Sequence, residues 1–426
     1  MAIRPLLHFT AGEGWINDPH GLTYREGTYH LFFQYVPGTS VWAPACHWGH
    51  ATSSDLLRWT EEPVALSPGD GDDGCWSGSA ILGDLDAVLF YTSVRSPNLE
   101  LGRVRRARPT DRTWRAWIKE NVVVEAPTDN DVTAFRDPFV FRDRHSWRML
   151  VGASRSDGTA VVFGYASSDL LDWHSTGPLV ERSGSEQDPV WAGTLWECIQ
   201  LLSVGDRHLL VMSVYDRGVP HYVACAVGVY DDGGFKPENW FRLTYGPAVY
   251  AASAYRDSQG RPGLVGWLRG IGDPDGKWTG ALTIPILLSL DEHRRPLLGP
   301  HPNTVHRRQD TDPHPMRWPA GAAVEVEWSP PEDLSSGLTV LDGDDTTLVE
   351  IRATDGTLTL IAAGDPAPAS TMPWPGGTVR LLLDGPVLEI FCGGALMAAP
   401  LNPRHEQLRA YPDHGETYRY WVLATS

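Results

Sequence analysis

The sequence predicts an all-β protein, and three observations support this prediction. Glycine and proline are frequent, with 43 and 34 residues among 426. Aromatic residues make up 10% of the chain. Apolar residues fall in short runs between Gly- and Asp-rich turns, and long helical periodicity is hard to find. Such a pattern is typical of short strands joined by tight turns, and the length suffices for two domains.

The first 300 residues contain a fivefold repeat. Each unit has a small or acidic start, an apolar run, a polar turn and a second apolar run. The starts are 59, 60, 60 and 53 residues apart, at Asp18, Ser77, Asp137, Glu197 and near Tyr250. This period, built from short strands, predicts a five-bladed β-propeller over residues 1–300. The alternative is chance patterning in an all-β sandwich, which the agreement of five units in phase disfavours.

A literal echo within this region supports the repeat. The segment Ser53–Trp59 recurs as Ser167–Trp173, 114 residues later, which is close to two periods. Each blade is expected to be a small antiparallel sheet of hairpin-linked strands. Its innermost strand would line a central channel, so that the unit starts face the axis.

The remaining chain predicts a linker and a second domain. Residues 301–318 are rich in proline, histidine and arginine without periodicity, which indicates a linker with its histidines on the surface. From residue 319 onward, apolar and polar residues alternate in short runs separated by Gly/Asp turns, as in Ala323–Trp328. This pattern predicts a β-sandwich over residues 319–426. Its acidic residues are predicted to face solvent, and it shows no catalytic constellation.

Charge and cysteine content limit the class of protein. The net charge of −18 argues against nucleic acid, whose phosphates need a basic surface, and against anionic membranes. No run of about 18 apolar residues could span a bilayer, and the first residues lack the apolar core of a signal peptide. The five cysteines are widely spaced, so neither a disulfide framework nor a zinc site is predicted. We therefore expect a cytoplasmic protein with reduced thiols. The acids of Pro68–Gly74 are predicted to be solvated turn formers.

Three acidic residues stand at unit starts: Asp18, Asp137 and Glu197. A single acid at such a place would usually cap a turn or join a buried ion pair. Three of them in phase with one repeat predict a shared site at the axis. Carboxylates on opposite walls of a pocket can hydrolyse an acetal, because one acts at the anomeric carbon while the other protonates the leaving oxygen.

The neighbours of these acids suggest separate roles for them, which requires pKa values pushed apart. Arg136 is expected to keep Asp137 ionised, and Asn17 is a neutral donor beside Asp18. Glu197 is flanked by a tryptophan and a cysteine, an apolar setting that suits a proton donor. Tryptophans are abundant near the unit starts, and their rings can pack on the C–H faces of sugars.

Seven motifs occur in an order that resembles a known enzyme family. They are Trp15–Gly21, Phe32–Tyr35, His47–Ala51, Trp76–Ser79, Phe135–Pro138, Trp196–Cys198 and Asp384–Phe391. Together they resemble glycoside hydrolase family 32, the β-fructosidases, over nearly the whole chain. The resemblance implies a five-bladed propeller followed by a sandwich, and a retaining mechanism.

The resemblance also implies roles for individual residues. Asp18 would be the nucleophile that forms a fructosyl-enzyme, Glu197 the general acid and then general base, and Asp137 the stabiliser of the transition state. The positions where the family contacts the fructosyl unit or frames the pocket are Asn17, Gln34, Trp42, Trp76, Ser77, Arg136 and Trp267. The implied substrate is sucrose or a fructo-oligosaccharide. No metal or organic cofactor is implied, and a homodimer formed through the sandwich is the suggested assembly.

The chain departs from the family pattern at a few positions. His20 stands where the family usually has a second asparagine, so it either alters the hydrogen bonding behind Asp18 or replaces a structural turn contact; we favour the second. The segment Tyr245–Ala251 lacks an Asp and a Phe, and Pro285 lacks a following Arg. These departures leave the substrate preference open. A fructosyltransferase on the same fold and a non-catalytic fructan-binding protein are the alternatives, and the three retained acids disfavour the latter.

Overall fold

The computed structural model describes residues 3–82, 87–128, 131–144, 146–310, 316–331, 335–363, 369–413 and 417–424. The described residues form 34 strands and one helix of four residues, so the predicted all-β class is confirmed. No helix among them has the length and apolar character needed to cross a membrane. All five cysteines are buried and free.

Four antiparallel meanders follow one another along the chain, and in each of them a strand pairs with the next. The first contains β1 (Gly14–Arg25), β2 (Thr28–Val36), β3 (His47–Ser53) and β4 (Thr60–Leu66). The second contains β5 (Gly74–Leu82), β6 (Ala87–Arg95), β7 (Asn98–Pro109) and β8 (Trp117–Val124). The third contains β9 (Val132–Asp143), β10 (Ser146–Arg155), β11 (Thr159–Ser167) and β12 (His174–Ser183). The fourth contains β13 (Leu195–Val204), β14 (Arg207–Asp216), β15 (Val219–Asp231) and β16 (Gly234–Arg242).

A fifth unit joins the end of this series to its beginning. After the short β17 (Thr244–Tyr245), the unit contains β18 (Val249–Arg256), β19 (Pro262–Gly272), β20 (Trp278–Leu282), β21 (Ile286–Leu290) and β22 (Pro296–Pro300). Strand β20 pairs with β19 and also runs parallel to the start of β1, where Gly14 lies opposite Trp278. The first strands of the five units, β1, β5, β9, β13 and β18, contact one another in chain order, and β18 also contacts β1.

The phase of the repeat differs by one residue from the sequence prediction in the last two units. Asp137, Cys198 and Ala251 share a left-handed backbone, with φ of 65°, 50° and 50°. Each of the three lies at an irregularity in strand pairing. Cys198, rather than Glu197, therefore occupies the backbone position of Asp137. Glu197 corresponds to Arg136 and Tyr250, the residues just before the irregularity.

The rest of the chain forms two further sheets. One contains β23 (Arg308–Asp310), β25 (Ala323–Ser329), β30 (Val379–Asp384), β31 (Val387–Cys392), β32 (Ala395–Pro400) and β34 (Thr417–Leu423), and the earlier strand β17 joins it by pairing with β32. The other contains β24 (Arg317–Pro319), β26 (Ser336–Leu341), β27 (Thr347–Thr354), β28 (Thr357–Ala362), β29 (Ala369–Pro373) and β33 (Gln407–Pro412). Apolar residues of both sheets, such as Val326 and Leu338, share one hydrophobic cluster.

Two predictions that acidic residues face solvent are wrong for some of those residues and correct for others, such as Asp70 and Asp73, which are exposed. Glu325 and Glu389 in the last part of the chain are fully buried rather than solvated. Glu325 is compensated by the guanidinium groups of Arg308 and Arg380. In the turn before β5, Asp72 is also buried, because its carboxylate accepts hydrogen bonds from neighbouring strands and binds Lys119 at 2.9 Å.

The segment predicted as a linker has regular structure. It contains α1 (Pro302–Val305), β23 and β24. His301 is buried, with Nε2 3.2 Å from Asp257 Oδ2, and its ring accepts from the backbone N–H of Asn303 at the start of α1. The prediction of a surface histidine is therefore wrong for His301 and correct for His306, while His314 lies outside the described residues.

Candidate active site

A cavity of about 330 Å³ opens beside the first strands of the five units. All three predicted acids line it, together with most of the predicted binding residues. The lining residues are Trp15, Asn17, Asp18, Gln34, Trp42, Trp76, Glu100, Arg136, Asp137, Glu197, Tyr215, Gly218, Pro220, Tyr250 and Trp267. Ser77 is the one predicted site residue that does not line the cavity, but its hydroxyl donates to Asp18 from behind.

The carboxylate of Asp18 is surrounded by hydrogen-bond donors. Oδ2 accepts from Ser77 Oγ at 2.6 Å and from Gln34 Nε2 at 3.4 Å, and Oδ1 accepts from Asn17 Nδ2 at 3.0 Å. The thiol of Cys198 lies 3.5 Å from Oδ2. Burial and the charge of Glu197 raise the pKa of Asp18, and these donors oppose the increase because they stabilise its ionised form.

Glu197 is held by two polar side chains rather than by the apolar surroundings that the sequence suggested. Arg136 Nε donates to Oε1 at 2.9 Å, and the Tyr250 hydroxyl donates to Oε2 at 2.6 Å. The neighbouring Trp196 is fully buried in a separate hydrophobic cluster and does not line the cavity. These two contacts follow from the backbone, because Glu197, Arg136 and Tyr250 each lie just before the irregularity in the first strand of their unit.

Asp137 differs from the sequence expectation in its charge. Burial and the charge of Glu197 raise its pKa to about 7, although Arg136 opposes the increase. The expectation that Arg136 keeps Asp137 ionised is therefore wrong, because the guanidinium binds Glu197 and Glu100 instead. Asp137 Oδ2 accepts from the backbone N–H of Cys198 at 2.9 Å. The strand irregularities at Asp137 and Cys198 thus place the backbone N–H of Cys198 against the carboxylate of Asp137. Bulges next to active sites often redirect groups in this way.

His20 packs in the core beneath the site. Its ring lies 3.8 Å from the ring of Trp48, and neither ring nitrogen has a hydrogen-bond partner among the described residues. Burial lowers the pKa of His20 well below its ordinary value, so the ring is neutral. Asp18 has its hydrogen bonds elsewhere, which supports the favoured interpretation that His20 replaces a structural contact.

Several lining residues were not predicted as site residues. Tyr250 was identified as the start of a unit, and its equivalence to Glu197 could have revealed it. Four others, Glu100, Tyr215, Gly218 and Pro220, lie on the second and third strands of their units or in the turn between them, away from the unit starts that the sequence analysis used to find the site. Only the tertiary structure brings them to the site.

One group of residues outside the cavity has the composition of a metal site. Asp342, Asp344 and His405 offer ligand atoms that lie close together. The carboxylate of Asp342 already accepts from the backbone N–H groups of Gly343, Arg404 and His405. These bonds explain the cluster as a loop cap, and we assign no ion to it.

In chemical terms, the described lining of the cavity contains one guanidinium and four carboxyl groups, of which Asp137 is buried and Asp18 and Glu197 are half-buried, and its titratable groups interact strongly. Such groups share protons, so that one carboxyl can hold a proton while another is ionised near neutral pH. This combination is what acid–base and nucleophilic chemistry on an acetal requires.

Comparison with known proteins agrees with this chemistry. The model of the glycosyl hydrolases family 32 N-terminal domain matches residues 8–300. The chain belongs to glycoside hydrolase family 32. The resemblance noted from the sequence motifs is thereby confirmed.

Relatives within family 32 differ in their named substrates. The chain is 34% identical over 313 residues to a sucrose-6-phosphate hydrolase of Zymomonas mobilis, a match that covers 68% of this chain and 60% of that protein. It is 31% identical over 334 residues to a fructan 6-exohydrolase of Beta vulgaris, covering 69% of this chain and 54% of that protein. The match thus spans about 60% or less of the length of these relatives.

Solved structures of the family have the same fold. A family 32 β-fructofuranosidase of Bombyx mori superposes with a TM-score of 0.86 at 25% identity, covering 99% of this chain and 94% of that one. A fructan 1-exohydrolase of Cichorium intybus superposes with a TM-score of 0.81 at 19% identity, covering 99% and 97%. The likeness extends beyond residue 300 to the two last sheets.

Proposed function

We propose that this protein is a retaining β-fructosidase, which releases terminal β-D-fructofuranosyl units from sucrose or fructo-oligosaccharides. The observation that carries the proposal is the convergence of Asp18, Asp137 and Glu197 on one cavity, each with different partners. Membership of family 32 supports glycoside hydrolysis, and the names of the relatives support sucrose and fructans as the substrate class.

Asp18 acts as the nucleophile in this proposal. One carboxylate oxygen forms a bond to the anomeric carbon of the fructosyl unit while the bond from that carbon to the leaving oxygen breaks. The donors Ser77, Gln34 and Asn17 favour the ionised carboxylate that attack requires, and they hold it in one orientation. The product of this step is a covalent fructosyl-enzyme.

Glu197 acts first as general acid and then as general base. It gives its proton to the leaving oxygen in the first step. In the second step it takes a proton from the water that attacks the fructosyl-enzyme, which releases fructose and restores Asp18. Arg136 and Tyr250 each bind one of its oxygens and so orient the carboxyl group.

Asp137 holds hydroxyl groups of the fructosyl unit. A carboxyl whose pKa is about 7 is present in both protonation states near neutral pH, so it can donate to a sugar hydroxyl or accept from one. Contacts that strengthen as positive charge develops on the ring would stabilise the transition state. Asn17, Gln34, Trp42, Trp76, Ser77, Arg136 and Trp267 are proposed to frame or bind the substrate.

We also propose an architecture for the whole chain. The five units are the blades of a β-propeller spanning residues 1–300, since their first strands contact one another in a closed order. Residues 301–318 connect it to a β-sandwich spanning residues 319–426, since the two last sheets share a hydrophobic cluster. The cytoplasmic location and the homodimer stay predictions.

Product analysis tests the proposed reaction. The protein is incubated with sucrose, 1-kestose and levan, and the products are separated by chromatography. We expect free fructose from the wild type and none from Asp18→Asn, in which the nucleophile is replaced by an isosteric amide. The control Asp206→Asn changes an exposed acid remote from the cavity and should retain full activity.

Other outcomes would redirect the proposal. Longer oligosaccharides in place of free fructose would indicate a fructosyltransferase, in which a sugar rather than water resolves the intermediate. Near-normal turnover by Asp18→Asn would rule out the assigned nucleophile. Binding of fructans without any product would support a non-catalytic protein.

A further inference from the structure

The cavity is strongly acidic. Its described lining residues include four carboxylic acids, Asp18, Glu100, Asp137 and Glu197, and one cation, Arg136. Two of the three guanidinium nitrogens of Arg136 are already engaged, Nε by Glu197 at 2.9 Å and Nη1 by Glu100 at 2.6 Å. No second lysine or arginine is found among the described residues that line the cavity.

The cavity disfavours negative charge even on its own carboxyl groups. Burial and mutual repulsion raise the pKa of Asp18 and that of Asp137, which means that the cavity disfavours even its own full ionisation. Glu100 lies at the mouth, with 54% of its side chain exposed, so an entering ligand meets it before reaching the deeper acids. The net charge of −18 adds a long-range repulsion toward anions.

We infer that this site takes uncharged fructosides and discriminates against phosphorylated ones, such as sucrose 6-phosphate. The inference rests on the proposed function and specifies its substrate class. It differs from what the similarity to sucrose-6-phosphate hydrolases alone would suggest.

The physical reason is that the described residues lining the cavity offer an anion no cation other than Arg136, which is already engaged. A sugar phosphate monoester carries between one and two negative charges near neutral pH. Proteins bind such groups with arginine or lysine side chains or with clustered backbone N–H groups. A phosphate that approached Arg136 would have to compete with Glu100 and Glu197 and would repel both. Neutral hydroxyl groups are not repelled by these carboxylates, and they can donate hydrogen bonds to them.

The test compares sucrose with sucrose 6-phosphate on the intact protein. We expect kcat/KM to be at least about tenfold higher for sucrose at low ionic strength, because repulsion between the phosphate and the cavity is then weakly screened. The ratio should fall as salt is added, since screening weakens the repulsion. 1-Kestose serves as a second neutral substrate, whose rate relative to sucrose should be independent of salt.

A matched pair of variants locates the effect. Glu100→Gln removes one negative charge at the mouth and should lower the ratio several-fold at low salt. Glu292→Gln makes the same change in net charge at a turn remote from the cavity, where the side chain is 87% exposed, and should leave the ratio unchanged.

The possible outcomes separate this inference from the proposed function. A ratio of one or less overturns the inference while leaving β-fructosidase activity established. A ratio that responds neither to salt nor to Glu100→Gln also overturns it, because discrimination would then not be electrostatic. Failure to hydrolyse sucrose, 1-kestose and sucrose 6-phosphate alike would instead refute the proposed function itself.

Discussion

Tyr250 illustrates how single residues tune the site. Its hydroxyl donates to Glu197 Oε2 at 2.6 Å, while Arg136 occupies the other oxygen. The phenol is almost completely buried, and burial together with the charge of Glu197 raises its pKa well above the ordinary value, so it stays a donor. We therefore propose that Tyr250 is a positioning residue that acts through Glu197.

Replacement of Tyr250 by Phe should lower kcat for sucrose about 10- to 100-fold, which corresponds to the loss of a hydrogen bond to a charged group. The loss should be much smaller for an activated aryl β-fructofuranoside, whose leaving group needs little protonation. Steady-state kinetics on both substrates check this, with Glu197→Gln as the comparison that should show the same pattern more strongly. Equal losses on both substrates would contradict a role through Glu197.

The raised pKa of Asp137 can be tested through the pH dependence of the free energy of unfolding. Its pKa is about 7 in the folded protein and near the ordinary 3.8 when unfolded. Between these values the folded state binds more protons than the unfolded state, so stability falls as pH rises. Below the lower value the carboxyl is neutral in both states and this cost is absent.

Asp137→Asn should therefore stabilise the protein above pH 7, by up to about 4 kcal/mol for a pKa raised from 3.8 to about 7, and leave it unchanged near pH 3.5. Asparagine tolerates the left-handed backbone at this position. Chemical denaturation at several pH values measures the difference, and the exposed Asp206→Asn serves as control. If Asp137→Asn were less stable than the wild type at pH 8, ionisation of Asp137 would not destabilise the folded protein and the prediction would be wrong.

At the level of elements, the sequence echo corresponds to one turn that occurs twice. Ser53 Oγ accepts from the backbone N–H of Leu56, and Ser167 Oγ accepts from that of Leu170, both at 2.9 Å. Asp55 and Asp169 each accept from the backbone N–H groups of the residues two and three positions further along the chain. The turns differ in their surroundings, because Asp55 also binds Arg307 and the Asp169 carboxylate is solvated.

This matched pair predicts unequal costs of substitution. Asp169→Ala should destabilise the protein by about 1 kcal/mol, the typical value of a lost capping interaction. Asp55→Ala should cost about 2–3 kcal/mol, because it also removes the partner of a largely buried arginine. Free energies of unfolding from denaturant titration decide this, and equal costs would mean that the Arg307 ion pair contributes nothing.

On the scale of the whole molecule, the first and last parts of the chain share one core. A single cluster contains Leu7 and Ile284 from the first part and Leu382 and Val387 from the last sheets. The N-terminal segment is bound to the same place. The Asp384 carboxylate accepts from the backbone N–H groups of residues 6–8 and from the ring of His8 at 2.8 Å.

The His8 interaction is charged and fully buried. Burial alone would lower the pKa of His8, but Glu389 and Asp384 raise it to about 9. A histidine with a raised pKa contributes stability that is complete below its ordinary value of 6.5 and is lost as pH rises through 9. The wild type should therefore lose stability between pH 7 and pH 10.

His8→Asn should remove this loss and cost about 3–5 kcal/mol at pH 7, because it leaves two buried carboxylates without their cation. Denaturant titration at pH 7 and pH 10 measures both effects. His293→Asn, at a side chain that is 68% exposed, is the control and should follow the wild type. If His8→Asn lost as much stability between pH 7 and pH 10 as the wild type, His8 would not be the group whose titration causes the loss.

The sequence by itself determined the all-β class, the period of the units and the positions of Asp18, Asp137 and Glu197, because these are local patterns of apolar spacing and motif. It did not determine the contacts of these acids. Arg136 pairs with Glu197 and with Glu100, and Asp137 accepts from the backbone of Cys198. These contacts join residues of different strands, so they depend on how the folded strands lie against one another. Likewise, the burial of Glu325, Glu389 and His301 depends on which surfaces the folded chain covers, and no local pattern encodes that.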